Sequence, residues 1–105
     1  MQVVYTSRYK EEIKNLTTFI ASYSLQNAID FEKNLREQIE KILLFVHGFR
    51  KNLQINDENV RDLIFKGYVV PFLIFNDKIY ILGIYKQNIW KPNFGEILDI
   101  KKDKF

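Results

Sequence analysis

Residues 60–86, VRDLIFKGYVVPFLIFNDKIYILGIYK, restrict the fold more than any other part of the chain. Apolar runs are separated there by two short polar breaks, Lys66-Gly67 and Asn76-Asp77. Val, Ile, Phe and Tyr favour a pleated, half-buried surface. Glycine, asparagine and aspartate accept the positive φ that two-residue hairpin turns require. The spacing therefore predicts a three-stranded antiparallel meander: VRDLIF, YVVPFLIF and KIYILGIYK. Alternation in the first run places Val60, Asp62 and Ile64 on one face and Arg61, Leu63 and Phe65 on the other. Pro71 runs against the pattern, because it cannot donate to a ladder and belongs at an open edge or a bulge.

Upstream the periodicity is helical. Residues 2–6, QVVYT, read as a short strand, and Ser7 is placed to cap the helix that follows. Tyr9, Ile13, Leu16, Ile20 and Tyr23 then recur by threes and fours on one face. Ser24 interrupts and caps a second helix, whose apolar stripe is Ala28, Phe31, Leu35, Ile39, Ile42 and Val46. Gly48 is its expected stop. Helices joined by one or two residues form an antiparallel hairpin, and one sheet face must take the apolar stripes of both. The opposite sheet face is expected to be small and partly wet, the place where a site would lie. After the meander, GEILDI adds a short strand or helix before a basic tail. The expected fold class is α+β: an N-terminal strand and an antiparallel two-helix hairpin packed on a three- to four-stranded antiparallel sheet. Residues 1–105 form a single domain.

Nearly half of the chain is apolar (47%), enough for a packed core without cross-links. The absence of cysteine excludes disulfides and thiolate metal sites. No secretory leader and no run long enough for a membrane span is visible, so a cytoplasmic location without membrane partners is expected. The formal charge is +3. Residues 1–49 hold six Lys/Arg and six Asp/Glu, so the surplus belongs to residues 50–105. A basic half attracts nucleic acid or an acidic protein, or serves solubility alone.

Each candidate side chain has an ordinary explanation beside a functional one. Arg61 binds a partner carboxylate or phosphate in a forked geometry, or pairs with an internal acid. His47, the only histidine, sits near the end of the second helix, where a positive imidazole simply suits the dipole. Asp57, Glu58 and Asp62 form an acidic cluster best explained as a solvated loop. Trp90, Tyr85 and Tyr80 lie near Lys86 and Lys91 in sequence, an aromatic and basic set that can stack on bases or dock a partner helix, or pack an edge. Lys101, Lys102 and Lys104 read as a solvated tail. No phosphate-binding glycine loop, metal-ligand spacing or nucleophile triad is present, and no cofactor is implied.

Tyr23, Ser24, Ala28, Phe31, Leu35 and Ile39, followed by Val60, Arg61, Gly67, Tyr68, Ile79 and Ile81, resemble in order and spacing the pattern of the RelE/ParE superfamily of bacterial toxins over residues 2–86. The resemblance implies the toxin of a type II toxin–antitoxin pair, bound and neutralised by a small cognate antitoxin. RelE-like members cleave messenger RNA on the ribosome, using basic side chains on the sheet and a terminal tyrosine or histidine. ParE-like members poison DNA gyrase without that set. Where RelE-like nucleases often carry arginine after Gly-Tyr, this chain has Val69, and its last strand ends Tyr85-Lys86-Gln87-Asn88. Weak nuclease candidates are Arg61, Lys86 and Tyr85, with Lys66 and Lys91 as further cations. On the ParE-like reading, which is preferred, Arg61, Lys66, Lys86, Trp90 and Lys91 are partner-binding residues.

Overall fold

The computed structural model of the protein describes residues 1–86 and 91–102. The chain runs β1 (Gln2–Tyr5), α1 (Ser7–Ala21), α2 (Leu25–Lys41), β2 (Arg50–Lys51), β3 (Val60–Phe65), β4 (Tyr68–Phe75), β5 (Lys78–Ile81), β6 (Tyr85–Lys86) and α3 (Phe94–Lys102). One sheet holds all six strands in the order β1-β5-β4-β3-β2, with β6 paired to β4. The meander β3-β4-β5 is antiparallel as expected, whereas β1 lies parallel to β5. The α+β architecture stands, with a parallel edge strand and two short strands added to the expected sheet.

Both hairpin turns follow from their residue types. Lys66 and Gly67 have φ of 49° and 83°, and Asn76 and Asp77 have 54° and 59°. Two successive positive values match the right-handed twist of the flanking strands.

The start of α1 differs by one residue from expectation. Thr6, not Ser7, is the cap: its Oγ1 accepts from the Tyr9 N–H at 3.2 Å and donates to the Ile81 carbonyl at 2.6 Å. One hydroxyl thus caps α1 and ties it to β5. Ser24 caps α2 as read, accepting from the Asn27 N–H at 3.1 Å. Tyr23 lies in the turn and is exposed rather than on the α1 stripe. α2 ends at Lys41, before Gly48, and two 3-10 turns (Ile42–Leu44 and Val46–Gly48) lead to β2.

α1 and α2 cover one sheet face. Leu35, Ile39 and Ile42 are fully buried against Leu63, Val70, Phe72, Ile79 and Ile81; truncating any one of those three α2-side residues to alanine costs roughly 2–5 kcal/mol. The opposite face corrects the expectation of a wet surface. Ile97 of α3 packs there on Ile55, Val60, Leu73 and Leu82. β4 is therefore buried on both sides from Val69 to Ile74, which is why its sequence reads as a continuous apolar run.

Pro71 sits at a bulge. Its carbonyl accepts the Leu82 N–H at 2.9 Å, but it has no N–H to return. β5 stops at Ile81, and pairing resumes at Val69 with Tyr85. From Leu82 to Tyr85 is three steps and from Pro71 to Val69 only two, so one extra residue bulges out. The Glu12 carboxylate on α1 reaches across to accept the Ile84 N–H there.

Candidate functional site

The structure assembles part of the expected basic site at one end of the β3-β4 hairpin. Tyr68 and Lys86 are directly paired across β4 and β6. The Lys86 Nζ lies 5.8 Å from the Tyr68 ring centre, and the Lys66 Nζ lies 5.5 Å from that of Phe65. Phe31 of α2 meets both rings edge-on, at 5.4 and 5.6 Å between centroids. Two exposed ammonium groups thus sit on the rim of a three-ring aromatic cluster. Such contacts hold a cation by the ring quadrupole, each worth about 0.5–1 kcal/mol at an exposed position.

Arg61 stands apart from this pair. It lies four residues along β3 from Phe65, roughly 14 Å at the rise of an antiparallel strand. Its guanidinium donates to two backbone carbonyls, Glu58 at 2.7 Å and Phe49 at 3.0 Å, fastening the segment before β2 to β3. Lys91 is exposed and makes no ion pair with a described residue. Trp90 and Lys104 lie outside the described residues. His47 is exposed in the second 3-10 turn.

Tyr85 belongs to the opposite sheet face, against the cluster under α3. Its phenol interacts with the Asn52 side chain, and burial, then the nearby Asp62 carboxylate, raises its pKa. Both causes keep its proton in place.

Asp62 anchors a buried polar group that the sequence reading missed. Its side chain is 1% exposed. It accepts from Asn52 Nδ2 at 2.7 Å and from Arg50 Nε at 3.2 Å. Asn52 in turn accepts from the Gln54 and Ile55 N–H groups at 2.9 and 3.0 Å. Burial pushes the Asp62 pKa up, against the pull of Asn52 and Arg50. Asp57, by contrast, is paired with Lys101 at 2.7 Å; that bond and the Asn59 N–H overcome burial and lower its pKa. The three acids of the sequence cluster thus have separate roles: Asp62 closes the β2-β3 junction, Asp57 holds α3, and Glu58 offers its backbone to Arg61. The signal for Asn52 and Arg50 lay in RKNLQINDEN, which carries too little apolar pattern to disclose a strand.

Between β1 and the helices lies a cleft of about 250 Å³ lined by Tyr5, Tyr9, Lys10, Ile13, Glu32 and Arg36. Arg36 pairs with Glu32 and stands 5.9 Å from the Tyr5 ring centre. Burial raises the pKa of Tyr9. Among the described residues no group of three or more His, Asp and Glu could hold a metal, and no helix is long and apolar enough to cross a membrane. With Arg61 engaged elsewhere and Tyr85 on the other face, the Lys66–Lys86 rim supplies positive charge and aromatic surface. These are features suited to binding.

A search of curated proteins gives no significant match. Among solved structures, the fold is similar to a chain of the chromosomal ParDE TA system from P. aeruginosa, with a TM-score of 0.67 and 16% sequence identity over 82% of this chain and 95% of that one. A family model described as the ParE toxin of the type II toxin–antitoxin system, parDE, matches residues 3–89. That span takes in all of β1 but its first residue, the helical hairpin and the strands β2–β6, and the chain therefore belongs to the ParE toxin family of type II toxin–antitoxin systems.

Proposed function

We propose that the protein is a cytoplasmic growth inhibitor that acts by binding DNA gyrase and is neutralised by a small cognate antitoxin. The family match over residues 3–89 carries this reading. The arrangement of cations supports it. Phosphodiester cleavage needs a proton acceptor, a proton donor and converging positive charge at one reacting phosphate. Arg61 and the Lys66–Lys86 pair occupy different ends of β3, and Tyr85 faces away from both lysines.

In this reading Lys66 and Lys86, with the aromatic surface beneath them, contact the partner, as do Arg61, Trp90 and Lys91. The cleft beside Tyr5 and Tyr9 receives an amphipathic antitoxin segment.

The test is a paired assay on the purified protein: supercoiling by gyrase, and integrity of messages on translating ribosomes. Loss of supercoiling with intact messages is the expected result. Cut messages with normal supercoiling would establish a ribosome-dependent endoribonuclease instead. Growth unaffected by expression would remove the toxin role.

A further inference from the structure

Residues 41–56 contain Lys41, His47, Arg50 and Lys51 and no acid. The structure gathers part of this stretch into two 3-10 turns and the edge strand β2. Leu44 is 73% exposed, Phe45 75% and Leu53 87%. These apolar side chains therefore flank the cations of β2 along one short segment.

The register across β2 and β3 adds a second observation. Lys51 lies directly opposite Arg61, and like charges facing each other across a strand pair are destabilising. No described acid neutralises either one: Lys51 makes no ion pair with a described residue, and Arg61 directs its Nε and Nη1 to backbone carbonyls. Arg50, next to Lys51, gives its Nε to Asp62 while its side chain stays 51% exposed. Glu40, beside Lys41 and Leu44, and Glu58, beside Arg61, bound the surface on its two sides.

We infer that this corner is a docking surface for an acidic amphipathic segment of a partner protein. Its leucine-type side chains would cover Leu44, Phe45 and Leu53, and its carboxylates would face Lys51 and Arg61, which share one face of the β2-β3 pair. A partner carboxylate between Lys51 and Arg61 converts a repulsive pair into a bridged one, which gives the unneutralised register a purpose. The surface differs from a nucleic-acid platform, because Leu44 and Leu53, two of its three exposed apolar side chains, have no ring face on which a base could stack. The surface is separate from the cleft at Tyr5 and Tyr9. It extends the antitoxin reading above, on which it rests, by naming the face and the chemistry of the partner.

The test uses the full chain co-purified with the product of the reading frame next to its own, followed by amide hydrogen exchange with and without that product. Protection of residues 41–53 is expected. Phe45→Ser and Lys51→Glu are each expected to weaken the complex about tenfold. Phe45→Ser should leave the melting temperature of the free chain unchanged, since the side chain is exposed, and Lys51→Glu should raise it slightly, since a carboxylate opposite Arg61 removes the like-charge pair. Raising the salt should weaken the unsubstituted complex and have less effect on Lys51→Glu. A complex that protects only the Tyr5–Tyr9 cleft, or one that tolerates both substitutions, overturns this assignment and leaves the toxin–antitoxin reading standing. Failure to form any complex overturns both.

Discussion

The Glu12 carboxylate accepts a hydrogen bond from the Ile84 N–H at 3.0 Å, joining α1 to the bulge 72 residues later. Its other oxygen is 3.2 Å from Arg8 Nε. Ile84 is buried, so its N–H has no water to turn to. Glu12→Ala is expected to cost about 2 kcal/mol in urea denaturation. Glu12→Gln retains an acceptor and is expected to lose less than half of that.

Asn52 is the centre of a second such device. Alanine there strips partners from the Asp62 carboxylate and from the Gln54 and Ile55 N–H groups together. The expected loss is about 3 kcal/mol. Asn52→Asp is expected to be at least as harmful, because two carboxylates would then meet in a buried site. Equilibrium unfolding of both variants checks this.

The two hairpin turns make opposite predictions from the same physics. A Cβ at Gly67 meets nothing within 4 Å, so Gly67→Ala tests backbone strain alone at φ 83°. It should destabilise by about 1 kcal/mol. Asp77 holds φ 59° with a side chain, and Asp77→Gly should stabilise by up to about 1 kcal/mol. Its contact with the N-terminal amine is 3.9 Å long and exposed on the Asp77 side, so little is lost with it. Thermal melts distinguish the two signs.

Glu96 gives a pH dependence. Burial, with Glu12 adding to it, raises its pKa above 4.5, while Thr6 and Arg8 pull the other way. One of its oxygens, Oε1, is buried without a hydrogen-bond partner among the described residues. The folded chain therefore holds this proton more tightly than the unfolded chain. The contribution to stability is greatest below the unfolded value and declines as pH rises through the folded one. Asp62 acts in the same sense and Asp57 in the opposite sense. Glu96→Gln should flatten, without abolishing, the decline in unfolding free energy measured as the pH is raised above the ordinary carboxylate range.

Lys66→Ala and Lys86→Ala together should weaken the proposed partner binding by about tenfold with little change in stability, since both ammonium groups are exposed. Arg61→Ala should instead lower stability by about 1–2 kcal/mol, through the carbonyls of Phe49 and Glu58. Comparing supercoiling inhibition at equal folded fraction separates the two kinds of loss.

The local elements were legible because their causes are local. The stripe Ala28, Phe31, Leu35 and Ile39 is a helical period, and all four are buried on α2. Lys66-Gly67 and Asn76-Asp77 turn the chain because of what their own backbones allow. Pro71 called for an open edge or a bulge, since it lacks its donor in every environment, and the structure decided between them. Arg61, Lys66 and Tyr85 were recognised as residues able to do chemistry, but their alternation and strand register were insufficient to say which of them meet.

What the sequence by itself determined was the set of elements, the meander and the family pattern, because periodicity and turn chemistry act over a few residues. Tertiary structure alone decided that β1 joins β5 in parallel, that α3 buries the second sheet face, and that Asn52, Arg50 and Asp62 form one buried group. These are contacts between distant segments. They are fixed by which apolar faces and unpaired polar groups find each other when the whole chain excludes water, and no short window of sequence contains that choice.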